Sequence, residues 1–159
     1  ISKNNREPYI AILAITYDTK IGQLTLSGVA HSGGQVNAGF SGKEISSTKI
    51  SNDEWSLSIP GKLISGKQKI LAVLLGKNGE LLSKNSINIT GKAIQNANGN
   101  TFVIIQKGDA LWNIAFDRLG LGNRYVDIVK LNKDKINNPD LIYPKQLFVI
   151  PAQTENNKN

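Results

Sequence analysis

The 159-residue chain contains no cysteine and a single histidine. The first absence excludes disulfides, thiolate zinc sites and thiol nucleophiles, so any fold must be held by packing alone. No apolar run approaches the roughly 20 residues needed to span a bilayer as a helix. The chain also lacks a phosphate-binding glycine loop and a metal-ligand cluster, so no cofactor is expected. No block of like charge occurs. What remains is a globular composition, 40% hydrophobic and 19% charged, long enough for one medium domain or two small ones.

The formal net charge is +7, carried mostly by lysine and spread over both halves. Nucleic-acid readers concentrate basic residues on one face and favour bidentate arginine, so nucleic acid is not the expected partner. A diffuse positive surface serves solubility, and it also suits a polyanionic wall or an anionic membrane surface. The chain begins at Ile1 rather than methionine. A cleaved export signal would explain this, as would a cloning boundary; the first gives the expectation of a periplasmic, cell-wall or extracellular location. The lack of cysteine fits an exported bacterial protein and a cytoplasmic one equally.

Residues 9–90 read as strands. Val36, Ala38 and Phe40 alternate with polar or small residues, as do Trp55, Leu57 and Ile59, while Leu24, Leu26 and Ala30 share a face. A period of two marks half-buried strands. Turn chemistry separates the runs at Asp18-Thr19-Lys20, His31-Ser32-Gly33-Gly34, Ser51-Asn52-Asp53 and Lys77-Asn78-Gly79, the last a hairpin signal. About seven strands result, and an antiparallel sandwich is the natural way to bury their faces. The stretch Leu26-Ser27-Gly28-Val29-Ala30, then Gly33 to Phe40, Glu54-Trp55-Ser56-Leu57 and Gly66 to Leu75 resembles the bacterial Ig-like repeats of surface and envelope proteins. The resemblance implies an all-β Ig-like domain over 9–90 that acts as a spacer or binds an envelope protein partner. Residues 91–100, rich in Gly and Asn, read as a flexible linker. Residues 152–159 read as a frayed polar tail.

From residue 101 the period changes. Thr101 to Gln106 is a short β-branched run, after which Leu111, Ile114, Ala115 and Leu119 recur at helical spacing. Asp109 fits an N-cap for that helix, and Gly120-Leu121-Gly122 ends it. Tyr125, Ile128, Val129 and Leu131 mark a second helix ending near Asn132. A loop with Pro139 and Pro144 leads to a closing strand, Gln146 to Ile150. The order is strand, helix, helix, strand, an α+β unit.

Phe102 to Ala115, with Gly108-Asp109-Ala110-Leu111 at its centre, resembles the opening of a LysM domain, a strand leading into Gly-Asp-Thr-Leu-x-x-Ile-Ala. Asn138-Pro139-Asp140-Leu141-Ile142-Tyr143-Pro144-Lys145-Gln146-Leu147-Phe148-Val149-Ile150-Pro151 resembles its ending, and Asn132 falls where asparagine is common. The match spans 101–151. It implies a βααβ module that binds peptidoglycan or chitin-like glycan in a shallow groove between two loops. Carried over, the glycan-binding residues are Gly108, Asp109, Ala110 and Leu111 in one loop, and Asn138, Pro139, Asp140, Leu141 and Ile142 in the other. An N-acetyl group offers a donor, an acceptor and a methyl; loop backbone can meet the first two, and Leu141 or Ile142 the third. Gly108 would let the backbone approach the sugar.

Bland readings stand beside these. Asp109 can serve as a helix cap while also binding. Pro139 and Pro144 can simply shape the loop. Leu111, Ile114 and Ile150 have core periodicity, and Trp112, tempting as a sugar platform, sits where packing against the helix is the stronger expectation. Two residues depart from the family pattern: Ala110 replaces its threonine, and Lys145 replaces its glycine in a turn that would be awkward if it requires positive φ. No enzyme is expected. His31 lies in a turn without a nucleophile nearby, and Asp53-Glu54, adjacent in sequence, point to opposite sides of a strand. Two functions follow: a non-catalytic cell-envelope protein that grips peptidoglycan, or an interaction, assembly or host-surface adhesion protein whose LysM-like unit binds protein.

Overall fold

A computed structural model of the chain describes residues 6–40, 43–60 and 66–151. The expected polar tail at 152–159 lies outside the described residues. Two compact units form, Ile1–Asn98 and Gly99–Asn159.

The first unit contains β1 (Tyr9–Asp18), β2 (Gln23–His31), β3 (Gln35–Phe40), β4 (Lys43–Lys49), β5 (Glu54–Pro60), β6 (Lys67–Leu75) and β7 (Leu81–Thr90). One sheet runs β5-β2-β1 and the other β4-β3-β6-β7, with every pairing antiparallel. The alternation seen in the sequence sets the core. Leu24, Leu26 and Ala30 of β2, Trp55, Leu57 and Ile59 of β5, and Val36 and Ala38 of β3 are all buried. Each of the leucine, isoleucine and valine side chains among them contributes roughly 1.5–3 kcal/mol on burial, and no disulfide supplements them.

In β1 the strict alternation breaks. Ile12 faces Gly28 and Ala14 faces Ser27, so Leu13 is an extra residue. The bulge keeps Ile10 and Ile12 on the same face as Ile15, which pairs with Leu26. Polar groups drawn into the core are bonded. The Ile12 N–H donates to Asn85 Oδ1 of β7 at 2.9 Å, and the Trp55 indole N–H donates to the Val29 carbonyl at 3.0 Å.

The hairpin expected at Asn78-Gly79 joins β6 to β7. Only Gly79 takes positive φ, and its N–H closes a turn onto the Gly76 carbonyl at 3.0 Å. His31 is the last residue of β2 rather than part of the following turn, and its ring stacks on Tyr9 with centroids 5.5 Å apart. Asp53 and Glu54 do not both sit on a strand. Asp53 occupies the turn before β5 at φ 62°, where it pairs with Arg6.

The segment read as a linker begins with a helix, α1 (Gly91–Ala97). The Thr90 hydroxyl accepts the Ala93 N–H at 3.0 Å, Asn98 closes the far end at φ 52°, and Ile94 and Ala97 are buried. Local capping, burial of two apolar residues and the helix formers Lys92, Ala93, Gln95 and Ala97 outweigh the Gly and Asn of the segment.

The second unit contains β8 (Thr101–Ile104), α2 (Leu111–Leu119), a 3₁₀ turn (Gly122–Arg124), α3 (Tyr125–Leu131) and β9 (Leu147–Ile150). Strands β8 and β9 pair antiparallel from Thr101 opposite Ile150 to Ile104 opposite Leu147. Leu111, Ala115 and Leu119 of α2 pack on Val103, Ile105, Ile128, Ile136, Phe148 and Ile150, with Ile114 partly buried against them. One polar side chain is buried with them. Asn132, just past α3, donates through Nδ2 to the carbonyls of Ile128 (2.7 Å) and Val149 (2.9 Å), and its Oδ1 accepts the Val149 N–H at 2.8 Å. It thus serves β9 as a neighbouring strand would, while closing α3.

Candidate functional site

Two turns and one helix end build a cleft in the second unit. In the first turn the Asp109 N–H donates to the Gln106 carbonyl at 3.0 Å, and Asp109 Oδ2 accepts the Gln106 N–H at 2.8 Å. Gly108, third in that turn, sits at φ 89°, a conformation that a side chain makes costly. The N-cap of α2 is therefore Ala110 rather than Asp109, whose carboxylate is turned back onto the loop. Ala110 has extended backbone, φ −132° and ψ 146°, and no side chain that can accept a hydrogen bond. The first amides of α2 receive no capping oxygen from it.

The second loop is shaped by Asn138, whose Oδ1 accepts the Asp140 N–H at 2.9 Å while its carbonyl accepts the Leu141 N–H at 2.9 Å. Pro139 occupies the second position of this turn, where its fixed φ fits. A further turn runs from Tyr143 to Gln146, with Pro144 second and Lys145 third. Lys145 has φ 73°, so this turn does take positive φ here and lysine occupies it under strain. The Lys145 N–H donates to the Ile105 carbonyl at 2.7 Å and the Ile105 N–H donates to Gln146 at 2.8 Å, tying this loop to the end of β8.

Between these loops lies an open cleft of about 450 Å³, lined by Asp109, Ala110, Leu111, Trp112, Tyr125, Pro139, Asp140 and Ile142. Of the residues singled out in the sequence, Asp109, Ala110, Leu111, Pro139, Asp140 and Ile142 meet here. Gly108, Asn138 and Leu141 do not line it. Gly108 and Asn138 hold the two turns, with open space around Gly108, and Leu141 stands 56% exposed beside the second loop. Leu111 is buried in the core and Ile142 packs partly against it, so both anchor the cleft floor.

Sequence reasoning missed Tyr125 and set Trp112 aside as packing. Tyr125 begins α3 and leans on the core, and Trp112 is 55% exposed in the first turn of α2. The signal available was two aromatics near the start of two consecutive helices, which does not reveal a shared wall until the chain is folded. Charge is notable as well. Two carboxylates line the cleft and no lysine or arginine does, on a chain whose net charge is +7. The surface is thus open, part apolar, and bordered by two carboxylate acceptors and the uncapped start of α2. Among the described residues, no group of three or more His, Asp or Glu side chains is placed to hold a metal ion.

Comparison with known proteins gives the following. The potassium binding protein Kbp of Escherichia coli O6:H1 (strain CFT073) is 28% identical over 105 residues, 66% of this chain and 68% of that one. A solved structure of fibronectin(III)-like modules of Clostridium thermocellum CbhA aligns with 48% of this chain and 81% of its own, at 17% identity and a TM-score of 0.33. Residues 103–151 match the family model of the LysM domain, and the second unit of this chain is a LysM domain.

Proposed function

We propose that this chain is a non-catalytic protein of the bacterial cell envelope that binds peptidoglycan, or a related glycan containing N-acetylglucosamine, in the cleft of its LysM domain. LysM domains in general bind such glycans. The observation that carries the reading here is the meeting of the uncapped start of α2 with the Asn138–Ile142 loop across one open cleft. An acetamido carbonyl can take hydrogen bonds from the free amides of the α2 terminus, where the helix dipole also favours an acceptor. Asp109 and Asp140 can accept from sugar hydroxyls and amide N–H groups, and Ile142 and Pro139 offer apolar contact to the methyl. With no basic side chain in the cleft, an uncharged stretch of glycan is the better fit than a carboxylate or phosphate.

On this reading the N-terminal sandwich is an Ig-like spacer or partner-binding module, and the protein works in the periplasm or at the cell wall. A shallow polar cleft binds one short glycan weakly, so polymer length supplies avidity. The test is sedimentation of the full chain with purified peptidoglycan. Co-sedimentation that free chito-oligosaccharide competes away, and that Asp140→Ala in the cleft wall weakens while the fold is retained, supports the reading; no co-sedimentation refutes it. The similarity to a potassium binding protein favours a second reading, with potassium as the ligand. Calorimetry with KCl against NaCl at matched ionic strength separates the two.

A further inference from the structure

The position of Trp112 has a cause that the motif reading does not supply. A Cβ placed on Gly122 would collide with Trp112 Cε2, Cδ2 and Nε1. Two of these atoms form the ring fusion and the third is the indole nitrogen, so the approach is onto the face of the five-membered ring. An edge-on approach would meet the nitrogen or a benzo carbon before the fusion atom Cδ2. One face of the indole therefore lies flat on the Gly122 backbone, and Gly122 is buried beneath it. Yet the tryptophan as a whole remains 55% exposed and forms part of the cleft wall together with Tyr125. A large aromatic held by one face, with the other turned outward beside a cleft, is a platform rather than a core residue.

We propose that Trp112 stacks on a pyranose ring of the bound glycan and that Gly122 is the positioning residue that sets the platform. The partner chemistry is a β-linked sugar with equatorial substituents, whose axial C–H bonds form an apolar face to lie on the indole. The inference rests on the glycan-binding reading and deepens it. It adds a residue pair, Trp112 with Gly122, to the loop residues that the family resemblance supplies. Gly122 touches no ligand; it acts because only a residue without Cβ leaves room for the indole. Tryptophan also brings little conformational entropy to lose, which favours a preset contact.

The experiment is a titration of the full chain with N-acetylated chitotetraose, followed by NMR at the Trp112 indole N–H and by calorimetry. Wild type is expected to shift that indole resonance and to show NOEs between sugar axial protons and the indole ring. Trp112→Ala is expected to weaken binding about tenfold or more, within the range seen when aromatic stacking platforms are removed elsewhere. Trp112→Phe should recover most of the affinity, which loss of packing alone would not predict. Gly122→Ala should move the indole resonance in the free protein and weaken binding by a similar factor, although residue 122 lies outside the cleft wall. Amide hydrogen exchange in α2 and β9 reports whether each variant is folded. If wild type binds without sugar–indole NOEs, or folded Trp112→Ala binds as tightly as wild type, the stacking assignment is overturned alone. If Gly122→Ala displaces the indole and affinity is unchanged, the positioning role is overturned. If wild type does not bind at all, the glycan reading falls and this inference with it.

Discussion

Replacing Asn132 by alanine should loosen the LysM unit more than any substitution in its binding loops. The side chain makes three hydrogen bonds of 2.7–2.9 Å in an environment where the residue is 1% exposed. Alanine leaves the N–H and C=O of Val149 without the partner that faces them, and it removes one acceptor-satisfying bond from Ile128. An unsatisfied buried polar group costs about 1–3 kcal/mol, so the two Val149 groups together place the loss near 3 kcal/mol. That equals about two orders of magnitude in an opening equilibrium. The readout is amide hydrogen exchange by NMR on the full chain, at Phe148 in β9 and at Ala115 and Ile128 in the helices. These amides keep their own partners, so they report opening of the unit rather than loss of one bond. Asn132→Asp should be at least as harmful, because a carboxylate accepts from Val149 but cannot donate to either carbonyl. Exchange at Phe148 and Ile128 that changes less than about threefold in Asn132→Ala would refute the clamp.

Ala110→Thr should raise the stability of the LysM unit by about 1 kcal/mol, because a hydroxyl at this N-cap can accept an amide from the first turn of α2; thermal melting followed by NMR checks it. Lys145→Gly should stabilise by about 1 kcal/mol through relief of the left-handed backbone, seen in the same melt, and an unchanged midpoint would count against strain at that turn. Chitotetraose affinity should vary by less than about twofold between about 50 and about 500 mM NaCl, since no cationic side chain lines the cleft. In the sandwich, the hydrogen-bonded Arg6 guanidinium holds the exposed Asp53 carboxylate below its usual value of 3.8. A depressed carboxylate stabilises the fold above the unfolded value and loses that contribution as pH falls through the folded one. Arg6→Gln should therefore move the Asp53 titration upward in a carboxyl carbon NMR experiment, with no effect on the LysM unit.

Much of this architecture is legible in the sequence because local patterns and tertiary demands agree. Leu24, Leu26 and Ala30 are spaced for a sheet and are buried in one, and Leu111, Ala115 and Leu119 are spaced for a helix face and line the LysM core. The linker reading missed α1 because its stability comes from the Thr90 cap and from burial of Ile94 and Ala97, neither visible as periodicity in seven residues. Asp109 looked like an N-cap because its identity and position one residue before the helix fit the pattern. Its carboxylate instead finds the Gln106 N–H within a tighter turn, which leaves the cap to Ala110. The loops of the cleft were readable from the two motif stretches. The aromatic wall was not, since the opposed surroundings of Trp112, glycine below and open space above, arise only when the 3₁₀ turn folds back on α2.

The most direct test of the account is a titration of the isotopically labelled full chain with N-acetylated chitotetraose, recording every backbone amide. The account predicts saturable shifts concentrated at Gly108–Trp112 and Asn138–Ile142, with the sandwich amides unmoved. No saturable shifts at either loop, or shifts confined to other surfaces, would contradict it.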